Sequence, residues 1–266
     1  MLYIVLSIFA VICLYPVFFT LTSSLKNNTE IFTEPFSLPR TPQWENYVRA
    51  WTIGKMGVYF KNSIILTAAT LFVSAIIGSM ASYILAKYTF KGKSFVYILF
   101  LAGMMIPIQT VIIPLAFTFG KLGIVDNFPV LVLLYSAFCL SMTVFIVTGY
   151  MKGLPDELEE AAVMDGAGHG FVFFKIILPL SMPAIASASI FNFVSAWNNL
   201  LFPLVFISKD SMKTISIGLL SFFGAYTSDY GAVMAAIGVS IIPPIIMYIL
   251  LQEKMEKGLT AGAVKG

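Results

Sequence analysis

The residues that could do chemistry in this chain of 266 residues are few and far apart. Its one histidine, His169, has no cysteine or second histidine near it, so no metal site is expected. Cys13 and Cys139 both sit inside apolar runs and read as small, core-like thiols rather than a disulfide pair. Gly92-Lys93-Ser94 ends like a phosphate-binding loop, but Lys87 occupies the position of that loop's first glycine, and a basic turn is the simpler reading. No nucleophile, base and orienting group fall together, so no catalytic residue is assigned. Polarity is concentrated instead in an acidic stretch over residues 154–168 and an amide-rich stretch over residues 192–199.

The acidic stretch is amphiphilic and helical in pattern. Pro155 suits a first helical turn, and Asp156, Glu157, Glu159 and Glu160 complement the positive end of a helix dipole. Gly166 and Gly168 then stop the helix. Ala161 and Ala162 are small enough to let another protein come close. The residues alone fit a solvated acidic linker equally well. In the second stretch, Asn192, Ser195, Trp197, Asn198 and Asn199 place amides and an indole in an otherwise apolar run. Such groups suit sugar hydroxyls and ring faces along an aqueous pathway. They equally suit hydrogen bonding between helices, with Trp197 at a membrane interface, and the residues slightly favour that reading.

The elements that must hold these stretches are membrane spans. The chain is 59% apolar and 11% charged, whereas a soluble domain carries about a quarter charged residues. Runs without Asp, Glu, Lys, Arg or His cover 1–25, 62–86, 94–120, 127–151, 176–208 and 230–252. Each exceeds the roughly 20 residues that cross a hydrocarbon core, so the expected fold is an all-α, polytopic bundle of about six transmembrane helices. Run 1–25 reads as a retained helix, since a signal peptide would begin with positive charge and end on a better small-residue site. Pro107, Pro114 and Pro243-Pro244 predict kinked, packed helices. Ser74, Gly78 and Ser82 form a small-residue stripe suited to close helix approach.

Placing both termini inside leaves eight basic residues in each set of loops, with the higher density inside. Residues 26–61, with three prolines and the aromatics Trp44, Tyr47 and Trp51, then form an external, partly interfacial segment. The net charge of +3 is spread out, with no basic block for nucleic acid. No acid or histidine lies at span depth, which argues against a proton-coupled carrier. Sodium coupling through carbonyls and asparagines stays open, as does a non-transporting scaffold. A bundle with neither motor nor catalyst points to a partner that supplies energy.

The acidic stretch also carries a resemblance. Glu160-Ala161-Ala162, Gly166, Ile176, Leu178 and Pro179 match the signature of bacterial ABC importer permeases: EAA, three residues, G, nine residues, I, one residue, LP. Asp165, Ala167, Pro183 and Leu154-Pro155 resemble the sugar-uptake branch typified by maltose permeases, and Gly168 stands where many relatives have serine. The similarity runs from about Phe60 to the C-terminus. It implies a type I ABC importer permease fold, with residues 1–59 as first helix and external loop. Residues 60–252 would form the core permease domain, with a coupling loop at about 152–180, and residues 253–266 a cytoplasmic tail. The resemblance further implies that Glu160, Ala161, Ala162, Asp165, Gly166, Ala167 and Pro179 serve coupling to an ATPase dimer. Gly262 and Lys265 would contact the same dimer, as the tail of the maltose-type subunit does. ATP and magnesium would be bound by that partner and no cofactor by this chain. A second homologous permease, an extracytoplasmic solute-binding protein and a sugar substrate complete the implied assembly, in a bacterial plasma membrane.

Overall fold

The computed structural model describes the backbone of residues 1–225 and 229–263, with side chains as far as 253 except at 221 and 223–225. In chain order the helices are α1 (Leu2–Ser23), α2 (Asn28–Thr33), α3 (Glu45–Thr52), α4 (Met56–Lys87), α5 (Lys93–Met105), α6 (Ile108–Leu122) and α7 (Phe128–Met151). There follow α8 (Glu157–Met164), α9 (His169–Val172), a π turn (Phe173–Ile177), α10 (Leu178–Leu180), α11 (Met182–Trp197) and α12 (Leu201–Phe206). A 3-10 turn (Asp210–Met212), α13 (Ile215–Ala225) and α14 (Tyr230–Ala263) complete the chain, and no strand occurs among the described residues. Four helices are each long and apolar enough to cross a bilayer, or six spans if each of two bent pairs counts once.

Both bends have local causes. The ring of Pro107 drives Ile106 out of the helical region (φ −84°, ψ 112°), and α5 and α6 meet at 96°. Arms of 13 and 15 residues reach about 20 Å each at 1.5 Å per residue, short of a ~30 Å core. The third apolar run, expected as one kinked span, is therefore two half-length helices. The fifth run is broken as well. Leu178 N–H reaches back five residues to Phe173 O just before Pro179, and the chain turns by 70° at Ser181. Run 176–208 is not one span, since α11 ends at Trp197 and α12 is separate. α14 runs through Pro243-Pro244 as one helix.

The contacts divide the chain into two compact units, residues 1–63 with 209–243, and residues 64–208 with 244–266. In the first unit, the segment after α1 folds back on itself instead of forming an open loop. Lys26 is fully buried, its ammonium donating to Glu34 O (2.9 Å) and Pro35 O (3.2 Å). The buried Asn46 amide donates to Ser24 O (2.7 Å) and Lys26 O (2.9 Å). Arg49 Nε donates to Asp229 Oδ2 at 2.8 Å. Lys55, in the left-handed region (φ 52°), leads into α4, and its ammonium, Lys213 and the Tyr59 hydroxyl converge on Asp210.

In the second unit α7 packs against α5 and α11. The predicted small-residue stripe lies against α7 as well. A Cβ built on Gly78 would come within 2.5 Å of Thr143 Cγ2, and Ser74 and Ser82 are buried on either side. The C-terminal ends of α4 and α7 join α9, the π turn and α11 in one core around Tyr83, Val147, Met151, Phe173, Ile177 and Ala184.

Candidate functional site

The acidic stretch forms α8, seated on that core. Its start differs in detail from the sequence reading. Pro155 lies before the helix, and Asp156 at the N-cap makes no side-chain bond to the helix amides. Its carboxylate instead accepts from Lys87 Nζ (2.6 Å), which holds the Asp156 carboxyl below its usual range. Glu157, Glu159 and Glu160 occupy the first turn, where the helix dipole favours them.

The end of α8 is a two-bond cap. Gly166 N–H donates to Val163 O (2.9 Å) and Ala167 N–H to Ala162 O (2.9 Å), with Gly166 at φ +82°. Asp165 is the last, exposed residue of the helix end. Gly168 has ordinary extended φ and ψ and starts α9, so Gly166 alone supplies the left-handed position. The two alanines do not share a face. Ala161 is exposed, whereas Ala162 is half-buried and packs, with Ala167, on the chain's own core. Adjacent residues on a helix sit about 100° apart, so Ala162 turns onto the core while Ala161, next to the exposed Glu160, stays on the outer side. Pro179 is exposed on α10, and Ile176 and Leu178 join the core.

Three groups on and just after α4 hold this loop, and none was legible in the sequence. Tyr83 Oη donates to Glu159 Oε2 at 2.7 Å. Lys87 Nζ lies 3.8 Å from Glu159 Oε1 and donates to Leu154 O at 2.6 Å. Tyr88 Oη pairs with His169 Nδ1 at 2.9 Å. Nothing local in the sequence marks such partners, 76 residues apart in the case of Tyr83 and Glu159. Lys87, Tyr88, Glu159, Glu160, Met164 and His169 line an open groove of about 460 Å³ beside α8. Its mixed charge and exposed methionine suit a protein partner better than a small ligand. Among the described residues, no group of three His, Cys, Asp or Glu side chains could hold a metal ion.

The amide-rich stretch is divided by the fold. Asn192 is buried and its Nδ2 donates to Thr143 Oγ1 at 2.8 Å, joining α11 to α7. Trp197 is buried and stacks on Phe193 at 5.7 Å. Asn198 and Asn199 stand at the break between α11 and α12, where Asn199 Oδ1 accepts from Phe202 N–H (3.1 Å), rather than inside a span. Asn192, Ser195 and Asn199 line a cavity of about 650 Å³, together with Met104, Met142, Phe138 and Phe202. Trp197 and Asn198 do not line it. Of the tail residues, Gly262 falls where α14 is described by backbone alone, and Lys265 lies outside the described residues.

Comparison with known proteins agrees with this geometry. The chain is 35% identical to the diacetylchitobiose uptake system permease protein of Streptomyces coelicolor, over 98% of this chain and 87% of that protein. It is 33% identical to the arabinooligosaccharides transport system permease protein of Halalkalibacterium halodurans, over 97% and 93% of the two chains. The multiple sugar-binding transport system permease protein of Streptococcus mutans is 33% identical, over 99% and 96%. The fold matches a chain of a bacterial ABC transporter involved in import of the acidic polysaccharide alginate, with a TM-score of 0.81 over 95% of this chain and 94% of that one, at 24% identity. The family model described as "Binding-protein-dependent transport system inner membrane component" matches residues 75–261, a stretch that holds α8, its cap and the π turn. The chain therefore belongs to that family, and is a multi-pass permease subunit of an ABC importer that works with a separate ATPase and a solute-binding protein.

Proposed function

We propose that this chain forms one half of a translocation pathway for an oligosaccharide, paired with a second, different permease of the same family. The observation that carries the reading is α8: a capped helix with a bare outward alanine, docked on a core at the ends of the spans and flanked by an open groove. It is a surface for receiving force from another protein, in a chain that carries no motor. ATP and magnesium are then bound by the ATPase dimer, and Glu160, Ala161 and Asp165 face it. Pro179 sits in the same loop, and the tail with Gly262 and Lys265 reaches the same dimer. Both termini lie in the cytoplasm of a bacterial cell, residues 26–61 outside. Residues 60–252 act as the core transport domain and 253–266 as the tail.

The sugar class rests on the relatives, which are permeases of a diacetylchitobiose uptake system, an arabinooligosaccharides transport system and a multiple sugar-binding transport system. Ser195 and Asn199 would supply hydroxyl contacts along the cavity, while Asn192 and Trp197 hold its walls. Reconstitution with the second permease, the ATPase and the binding protein tests the reading. ATP-dependent uptake of a labelled oligosaccharide is expected. Uptake by this chain without the ATPase, driven by a sodium gradient, would replace the reading with an ion-coupled carrier. An impermeant maleimide should label Leu38→Cys in intact spheroplasts and Met164→Cys only after permeabilisation, and the opposite pattern inverts the topology.

A further inference from the structure

Glu159 and Glu160 are neighbours with opposite situations. The Glu160 side chain is exposed, whereas the Glu159 side chain is only 17% exposed and lies against α4. One carboxylate oxygen of Glu159 accepts from the Tyr83 hydroxyl, which belongs to a residue only 4% exposed. The other is buried and, among the described residues, has no hydrogen bond and pairs with the single cation Lys87, whose side chain is 6% exposed. Tyr83 and Lys87 are four residues apart on α4, so they address the loop from one side. Lys87 also holds the loop's entry through Leu154 O and Asp156, and Tyr88 holds its exit through His169. Removing one member of such a pair strands its partner's charge out of water, which is far more costly than losing a surface ion pair.

Building on the permease reading, we propose that Glu159 is a positioning residue that locks α8 to the C-terminal end of α4 through Tyr83 and Lys87, so that the two move as one piece. Force applied at Ala161 and Glu160 then reaches a 32-residue helix without slack. Without the lock, α8 still forms, because its cap is made within the loop, but it can shift on its apolar seat. ATP is then hydrolysed without a matching displacement in the membrane.

The test uses the full reconstituted complex and measures uptake and ATP hydrolysis together. Tyr83→Phe, which deletes one oxygen, should lower substrate moved per ATP about tenfold, the scale of a hydrogen bond to a charged group, while hydrolysis stimulated by the loaded binding protein persists. Tyr83→Cys/Glu159→Cys, with Cys13 and Cys139 replaced by alanine, should be uncoupled when reduced and regain coupling when a short bismaleimide ties the two positions. An unchanged ratio in Tyr83→Phe, or a tied complex that stays uncoupled or stops, overturns the lock. If the double-cysteine chain fails to assemble, Tyr83→Phe decides alone. Failure of the unmodified complex to import sugar would count against the permease reading and not against the lock.

Discussion

Ala167 N–H donates to Ala162 O at 2.9 Å across Gly166, so the G of the family signature closes the helix that carries its EAA. A Cβ built on Gly166 meets no atom of the described residues within 4 Å beyond its two chain neighbours, and the position has φ +82°. The constraint is therefore backbone handedness and not space within the chain. Gly166→Leu should cost about 1–2 kcal/mol locally, with Gly166→Asn milder because asparagine tolerates that region. The chain should still insert. ATPase copurification and uptake should fall in the order Gly, Asn, Leu, and equal uptake for all three would remove the cap from the coupling mechanism.

Ala161 and Ala162 should separate two kinds of damage. Ala162 packs on the core with Ala167 and Leu154, so Ala162→Trp overfills it, at about 1–3 kcal/mol or more. Melting of the purified permease, with no ATPase present, should drop. Ala161→Trp leaves that melting point unchanged but should block ATPase copurification. Swapped outcomes would mean that α8 presents the other face.

Asn192 and Ser195 make a similar contrast in α11. Asn192→Leu breaks the bond to Thr143 between two helices and should cost about 0.6–1.7 kcal/mol of stability. Ser195 is exposed on the cavity wall, so Ser195→Trp should leave melting intact and cut uptake by filling the lumen. Unaltered uptake in Ser195→Trp would take the cavity out of the substrate route.

Asp210 gives a pH signature. The Lys55 ammonium first, then Lys213 and the Tyr59 hydroxyl, hold its carboxyl well below the usual carboxylate range. A depressed carboxyl stabilises the fold above its unfolded pKa of about 3.9, and that contribution is lost as pH falls toward the lowered folded value. The melting-point gap between the native chain and Asp210→Asn should thus be constant above about pH 5 and close on acidification below about pH 4. A gap that widens in acid would show that the three donors do not stabilise the carboxylate.

What the sequence determined by itself was whatever lies in contiguous residues. Six charge-free runs require a membrane, because a chain with 11% charge cannot cover a soluble surface of this size. The acidic turn, the alanines and Gly166 mark a helix and its end within a dozen residues, and capping is local chemistry. Pro107 announced irregularity, since a missing amide is visible in the sequence. How that irregularity resolves was not visible. A 96° turn into two half-length helices depends on what each arm can pack against, and a kinked single span satisfies the same residues. Tertiary structure alone decided that Glu159 turns to Tyr83 and Lys87 while Glu160 turns outward, and that Asn192 is taken up by Thr143. These pairings join positions 49 to 76 residues apart. The pattern of one helix cannot encode them, because a buried carboxylate or amide pairs with whichever polar group the neighbouring helix brings within reach.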